Sequence, residues 1–328
     1  MSFSISELVL ENSSDEEQIR TRKIFEALKI KAKNNEFLTE HEKDFFCHGV
    51  KLSLLSDGNI NDYDCCKNFK FKYFYLIYFK DLLGSGIYEK TKGMYLYKVG
   101  KNEVERDIKY LANEEREWLK TIRKENHSNE LLKQISKETR DEIKNLKKSE
   151  GLLIFNRDKR RFKLQIRSLI LQSKYIYLTV LEIFEMFDSD DFVLGLNGQN
   201  IEITEYSIIH ILNRHFAQIT KPTSSKSFHT TDFKPKYLNS QLKEIVSTID
   251  SSGLLTSMPI NKVAFRFKEM DYFMWVNKRF KSIKGKGNVE YNRVETFYPI
   301  IEKTEKVQLN LEYDCRKINN ELSVYVKK

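Results

Sequence analysis

Up to about residue 190 the apolar positions fall mostly at helical spacing; beyond it, short alternating runs take over between helices. From Asp15 to about Asn34, Ile19, Ile24, Phe25 and Leu28 recur on successive turns, and Thr39-Glu-His-Glu42 offers a capping hydroxyl followed by first-turn acids. Both segments are predicted helices. The most apolar run, Phe71 to Phe79, is interrupted by Lys72 and bounded by Lys70 and Lys80. It falls far short of the roughly 20 residues that span a bilayer, so it predicts a core helix or strand and no membrane partner. Asp57-Gly58 marks a turn, and Gly84-Ser-Gly86 with Lys92-Gly93 brackets a strand-like segment, Met94 to Val99.

Between Lys101 and Lys148 there is no Gly or Pro, charges abound and apolar residues are sparse. The pattern predicts long solvated helices, broken near Asn126-His127-Ser128, where Asn126 or Ser128 would cap a new start. A linker, a coiled-coil arm or a dimerisation helix would all produce it. Residues 156–187 are more apolar and predict a core helix with a basic, snorkelling beginning, Arg157 to Arg167. After Asp191, Phe192 to Leu196 and Ile201 to Ile203 flank Asn197-Gly198, a hairpin signature. Thr204 then caps a helix running to about Ile219, and a Ser- and Thr-rich loop leads to a helix from about Pro235 to Ile249. Strands are predicted near 262–268, 271–280 and 290–299, and a last hairpin from Val307–Tyr313 to Glu321–Val326 turns at Asn319-Asn320. The expected fold class is α+β, a helical N-terminal region followed by a small domain of helices packed on a twisted antiparallel sheet. Three parts are expected: 1–100, helical and of unknown role; 101–187, long charged helices serving as linker or dimerisation arm; and 190–328, the α+β domain.

Composition adds a direction to this outline. The 328 residues are 40% hydrophobic and 12% aromatic, ample for real cores. The net charge of +9 is unevenly placed: residues 101–150 carry 13 basic and 12 acidic side chains, residues 204–300 carry 15 and 8. A basic surface attracts nucleic acid through Coulomb force and counterion release. Cysteines 47, 65, 66 and 315 form no Cys-x-x-Cys pair, and the amino terminus lacks a basic region followed by an apolar run. A reducing cytoplasm, without zinc or disulfides, is the expectation.

The basic segment also holds His210, His215 and His229, half of the six histidines. At about 100° per residue, Ile208, Ile209, Leu212, Phe216 and Ile219 form the buried stripe of their helix, His210 and Arg214 share the opposite side, and His215 lies at the margin. His210 and Arg214, four residues apart, suit a phosphate between them; the plain alternative is a surface histidine beside a surface arginine. His229 sits on a predicted loop between hydroxyls. The histidine spacing forms no His-Glu-x-x-His motif, so no metal or other cofactor is expected. Metal-free RNA cleavage needs a base for the 2′-hydroxyl, an acid for the departing 5′-oxygen and cations for the charge on phosphorus. DNA lacks that internal nucleophile, which favours RNA as the partner. The loop 281–287, with Lys284 and Lys286, is basic enough to hold a nucleic-acid backbone.

The order of hairpin, helix with His210-Ile-Leu-Asn-Arg-His215, loop with Phe228-His229, second helix, aromatic strand Tyr272-Phe-Met-Trp-Val276 and closing strand Val294-Glu-Thr-Phe-Tyr-Pro299 resembles a known group. It is similar to the phage-associated branch of the barnase, EndoU, colicin and RelE-like nuclease superfamily, over residues 190–302. The resemblance implies a metal-independent endoribonuclease serving as a toxin or phage-conflict effector, with RNA and a neutralising or regulatory protein as partners. It also implies a helix-borne site of His210, Arg214 and His215, joined by Thr296 and Tyr298 from the last strand. His229, Lys278 and Arg279 are further candidates, for substrate binding with Lys284 and Lys286. Strand alternation puts Thr296 and Tyr298 on one side, where they are expected to face the helix. The competing reading is a non-catalytic adaptor that binds nucleic acid or protein through the basic surface.

Overall fold

The computed structural model describes all residues except 1, 10–13, 35, 40, 47–48, 50–67, 80–86, 93–94, 149–154, 218, 221–226, 230–231, 257–258, 284 and 286. The turn expected at Asp57-Gly58, the glycines at 84, 86 and 93, and Cys47, Cys65 and Cys66 lie outside them. The chain divides into two compact units, Met1–Arg116 and Glu117–Lys328.

In the first unit, α1 (Ile5–Leu8) is closed by a capping box between Ser4 and Glu7, and Ser14 caps α2 (Asp15–Lys33). Acids in the first turn of α2 and Lys31 and Lys33 in its last complement the helix dipole. Residues 41–46 form α3, started by Thr39 as its sequence predicts: Thr39 Oγ1 accepts from the Glu42 amide, and Glu42 accepts from the Thr39 amide. Ile24, Leu28, Leu38 and Phe46 form the core here. The apolar run resolves as a helix, α4 (Phe69–Tyr78), followed by the hairpin of β1 (Glu89–Lys92) and β2 (Tyr95–Lys98). Lys90 is buried among aromatics, with its ammonium 2.7 Å from Asp107 and 4.9 Å from the centre of the Phe74 ring. Glu103 and the Tyr78 hydroxyl complete the network, so the buried charges are matched and hydrogen-bonded.

Asp107 and Glu103 lie on α5 (Lys101–Arg123), inside which the two units divide. The second unit continues with α6 (Glu130–Lys147), α7 (Asn156–Met186), the hairpin of β3 (Val193–Leu196) and β4 (Gln199–Glu202), α8 (Glu205–His215) and α9 (Leu238–Ser251). Then come β5 (Lys262–Phe267), β6 (Met270–Ile283), β7 (Gly287–Pro299), α10 (Lys303–Glu312), β8 (Tyr313–Lys317) and β9 (Leu322–Lys327). Seven strands form one sheet in the order β3-β4-β7-β6-β5-β9-β8, antiparallel throughout except for the β4–β7 pair. The fold is α+β, as the periodicity predicts. Asn197 and Gly198 take positive φ of 52° and 69° in the β3–β4 turn, the backbone that an Asn-Gly hairpin requires.

One face of the sheet carries the main core. Val263, Phe265, Tyr272, Met274, Val276, Val294 and Phe297 meet Ile208, Ile211 and Leu212 of α8 and Leu242, Val246 and Ile249 of α9. Of the charged segment 101–187, the part from Glu117 onward belongs to this same unit. Trp118, Ile122, Leu131, Ile135, Ile170 and Ile176 belong to the main core, and the Trp118 indole donates to Ser173 at 2.8 Å. A sparse apolar stripe was enough to pack because α6 and α7 lie against α8, where Asn213 links Glu142 to Gln172. The helix break falls where predicted, but the cap is Asn129 and not Asn126 or Ser128.

Two elements depart from expectation. The helix expected to reach Ile219 ends at His215, because Phe216 turns extended and packs its ring against His229. The arm expected as strand over 307–313 is helical as α10, and the last hairpin begins only at Tyr313. Leu309 alone of this helix is buried, in a smaller core on the other sheet face with Ala264, Phe273, Ile300 and Tyr325.

Candidate active site

The long β6–β7 hairpin decides which side chains can cooperate. Its register runs Phe273↔Tyr298, Met274↔Phe297, Trp275↔Thr296 and then, after an extra residue at Glu295, Val276↔Val294. Met274, Val276, Val294 and Phe297 therefore point into the main core, and Phe273, Trp275 and Tyr298 lie on the opposite face. Thr296 and Tyr298 share a side, as alternation predicts, but that side is not the one α8 packs on, and Tyr298 meets the helix at its end, through His215. Phe297 faces the helix, and Tyr298 joins the smaller core beneath α10.

His215 reaches Tyr298 because α8 lies along the β7 edge. Ser207, in the first turn of α8, donates its hydroxyl to the Val294 carbonyl at 2.6 Å, and at the other end the His215 ring stacks on Tyr298, with centres 5.2 Å apart and planes 20° from parallel. His215 Nδ1 lies 2.9 Å from the Ser227 carbonyl. A carbonyl only accepts, so Nδ1 carries the hydrogen and the neutral ring holds its lone pair on Nε2, the tautomer of a base. The Tyr298 oxygen accepts from the Trp275 indole at 3.4 Å, and its O–H donates to Glu305 of α10 at 3.3 Å. Burial raises the Tyr298 phenol above its usual range; the indole bond opposes this and the Glu305 charge adds to it, so it keeps its proton near neutral pH.

Beside the pair lies a hollow of about 50 Å³ lined by Lys262, Phe273, Trp275, Tyr298, Glu305 and Gln308 among others. The Lys262 ammonium sits 4.1 Å from the centre of the Phe273 ring and 5.1 Å from that of Trp275. Trp275 is 36% exposed, enough for a planar group to stack on it. Lys262, Trp275 and Glu305 are absent from the sequence-derived site. Lys262 comes from β5, which reaches β7 only across β6 in the folded sheet, and Glu305 lies just before the segment 307–313 that alternation presented as a strand.

The remaining candidates go elsewhere. His210 stacks on Tyr206 at 5.6 Å, and the Arg293 guanidinium covers the Tyr206 ring at 4.0 Å. Arg214 is exposed on the same helix. Thr296 pairs with Trp275 on the Tyr298 side of the strand, and its hydroxyl is buried with no hydrogen-bond partner among the described residues. Arg279 makes a two-pronged contact with Glu295, at 2.8 and 2.9 Å, and Arg293 reaches the same carboxylate. Burial would raise the Glu295 carboxyl, but the two guanidinium groups outweigh it and hold it below its usual range. Lys278 pairs with Glu290, and Lys281 with Glu202. Lys284 and Lys286 lie outside the described residues.

His229, expected on a loop that holds substrate, is 7% exposed and caged by Phe216, Phe233, Tyr272 and Phe297. Its Nε2 bonds the Phe297 carbonyl at 3.0 Å. The hydroxyl-rich neighbours suggested exposure; a β7 carbonyl far along the chain draws the ring inward instead. Among the described residues no cluster of His, Cys, Asp or Glu is arranged to hold a metal ion, and no helix is long and apolar enough to cross a membrane. Compared with protein families, with curated proteins and with solved structures, the chain finds no match.

Proposed function

We propose that this chain is an endoribonuclease that cuts RNA by attack of the 2′-hydroxyl, without a metal, at the His215–Tyr298 pair. The observation that carries the reading is the stacking of a ring whose base tautomer is held by Ser227 upon a phenol that keeps its proton. His215 Nε2 takes the 2′-hydroxyl proton as the oxygen attacks phosphorus, and Tyr298 gives its proton to the departing 5′-oxygen, leaving a 2′,3′-cyclic phosphate. Lys262 is the cation beside the hollow that offsets charge developing on the phosphorane, and Trp275 is a platform for a neighbouring base. His210 and Arg214 belong to a second, outer contact with the RNA backbone, as do the Lys278–Lys281 segment and the loop bearing Lys284 and Lys286. A toxin or phage-conflict role, held in check by a protein partner, follows from the family resemblance alone.

Purified protein is expected to cleave RNA in EDTA and to leave cyclic phosphate ends. His215→Ala should reduce the rate about 10²- to 10⁴-fold, the usual contribution of a general base, and Tyr298→Phe should do likewise, with melting temperatures near wild type. Unchanged cleavage by both variants overturns this site.

A specific observation favours a second reading, the non-catalytic adaptor. Arg279, Arg293, Lys278 and Lys281 are already matched by carboxylates, and His210 contacts Tyr206 instead of the Tyr298 pair. That reading predicts salt-sensitive RNA binding, no cleavage and indifference to His215→Ala.

A further inference from the structure

We propose that His229 is a positioning residue, a neutral imidazole that pins the end of α8 to β7 and so fixes both the tautomer of His215 and its seat against Tyr298. Three contacts converge on this short stretch. The His229 amide donates to the His215 carbonyl at 2.9 Å, the His229 ring bonds the Phe297 carbonyl at 3.0 Å, and the Ser227 carbonyl, two residues before, receives His215 Nδ1–H. One end of the clamp holds the backbone of His215, the other the residue next to Tyr298. Between them, Ser227 is held where its oxygen meets the imidazole.

The chemistry of the cage selects the form of the ring. Since the Phe297 carbonyl only accepts, Nε2 carries the hydrogen, and Nδ1 bears the lone pair with no hydrogen-bond partner among the described residues. Four aromatic rings at 4.6 to 5.8 Å surround it, apolar surroundings that disfavour a second proton. Burial accordingly pushes the pKa down to about 3. The bond also occupies a carbonyl that lies beyond the two residues, Asn292 and Arg293, at which β4 pairs with β7. A planar, neutral donor of this reach is what the position uses; a proton shuttle is not.

The effect on His215 stands apart from the endoribonuclease reading, whereas its effect on rate rests on that reading. The test uses the full chain with ¹⁵N-labelled histidine, comparing wild type, His229→Leu, His229→Asn and His229→Gln. Glutamine carries an N–H at about the reach of Nε2; asparagine is too short, and leucine has no donor. Long-range ¹⁵N spectra of folded protein are expected to show His215 as the single Nδ1–H tautomer in wild type and in His229→Gln. Mixed tautomers are expected in His229→Asn, and in His229→Leu if it folds. RNA cleavage should follow: kcat reduced about 10²-fold in His229→Asn with little change in KM, and largely restored in His229→Gln. A folded His229→Asn that keeps a single Nδ1–H tautomer at His215 overturns the proposal. Absence of cleavage by wild type, with the tautomer result as expected, overturns the nuclease reading and leaves the positioning role standing.

Discussion

His215 and His229 bond through their own backbones, yet their surroundings are opposite, one ring caged by aromatics and the other stacked on Tyr298. The sequence picked out both histidines, but which ring is sealed and which is stacked on Tyr298 was not legible, because Phe297 and Tyr298 decide it from β7. The sealed ring has a measurable signature. Burial lowers the His229 pKa to about 3; its bond to Phe297 opposes this and the nearby His215 adds to it. In the unfolded chain the same imidazole protonates near its ordinary value of about 6.5. Between these values the unfolded state binds more protons, so stability contributed by the neutral ring is present above about pH 6.5 and drains away as pH falls toward 3. The slope approaches about 1.4 kcal/mol per pH unit within that window. Urea midpoints measured from pH 7 to 4 should fall more steeply for wild type than for His229→Gln; equal slopes would show that this ring is not sealed.

At the scale of elements, the alternation and helical spacing that predict β3, β4, α8, α9 and the three long strands are properties of short windows, and the structure carries them at nearly the expected places. What the windows missed is non-local. Val307, Leu309 and Leu311 alternate as in a strand, but β9 already pairs along its length with Tyr313–Lys317, so the segment before it has no strand partner and coils as α10 with Leu309 as its buried anchor. The extra residue at Glu295 likewise shifts the pairing by one and turns Val294 to the Phe297 face, which strict alternation cannot foresee. The seating of α8 on β7 gives a direct test. Ser207 bonds the buried Val294 carbonyl and also accepts from the Thr204 amide. Ser207→Ala leaves that carbonyl unpaired and should destabilise by about 1–3 kcal/mol in denaturant unfolding. A loss within 0.3 kcal/mol, roughly the noise of such measurements, would mean that another group replaces the hydroxyl.

For the molecule as a whole, charge placement is more informative than total charge. The surplus of Lys and Arg over 204–300 was visible in the sequence, but the structure separates cations of different availability. Arg279 and Arg293 share the half-buried Glu295, whereas the Lys278 side chain is 71% exposed beside an exposed Glu290. An exposed pair of this kind contributes only about 0–1 kcal/mol, so a phosphate can displace the carboxylate. On the RNA-cleaving proposal, Lys278→Gln should therefore weaken RNA binding by similar factors for unrelated sequences and lower the salt dependence by close to one ion, read from affinities across a salt series. An unchanged slope would remove this lysine from the RNA path. The same β7 strand has one more consequence. Its Val294 and Phe297 oxygens are occupied by a serine hydroxyl and an imidazole instead of by a neighbouring strand. A stranger's backbone seeking to zip onto that border finds these acceptors already engaged, so this stretch is guarded against end-to-end stitching of copies into fibres.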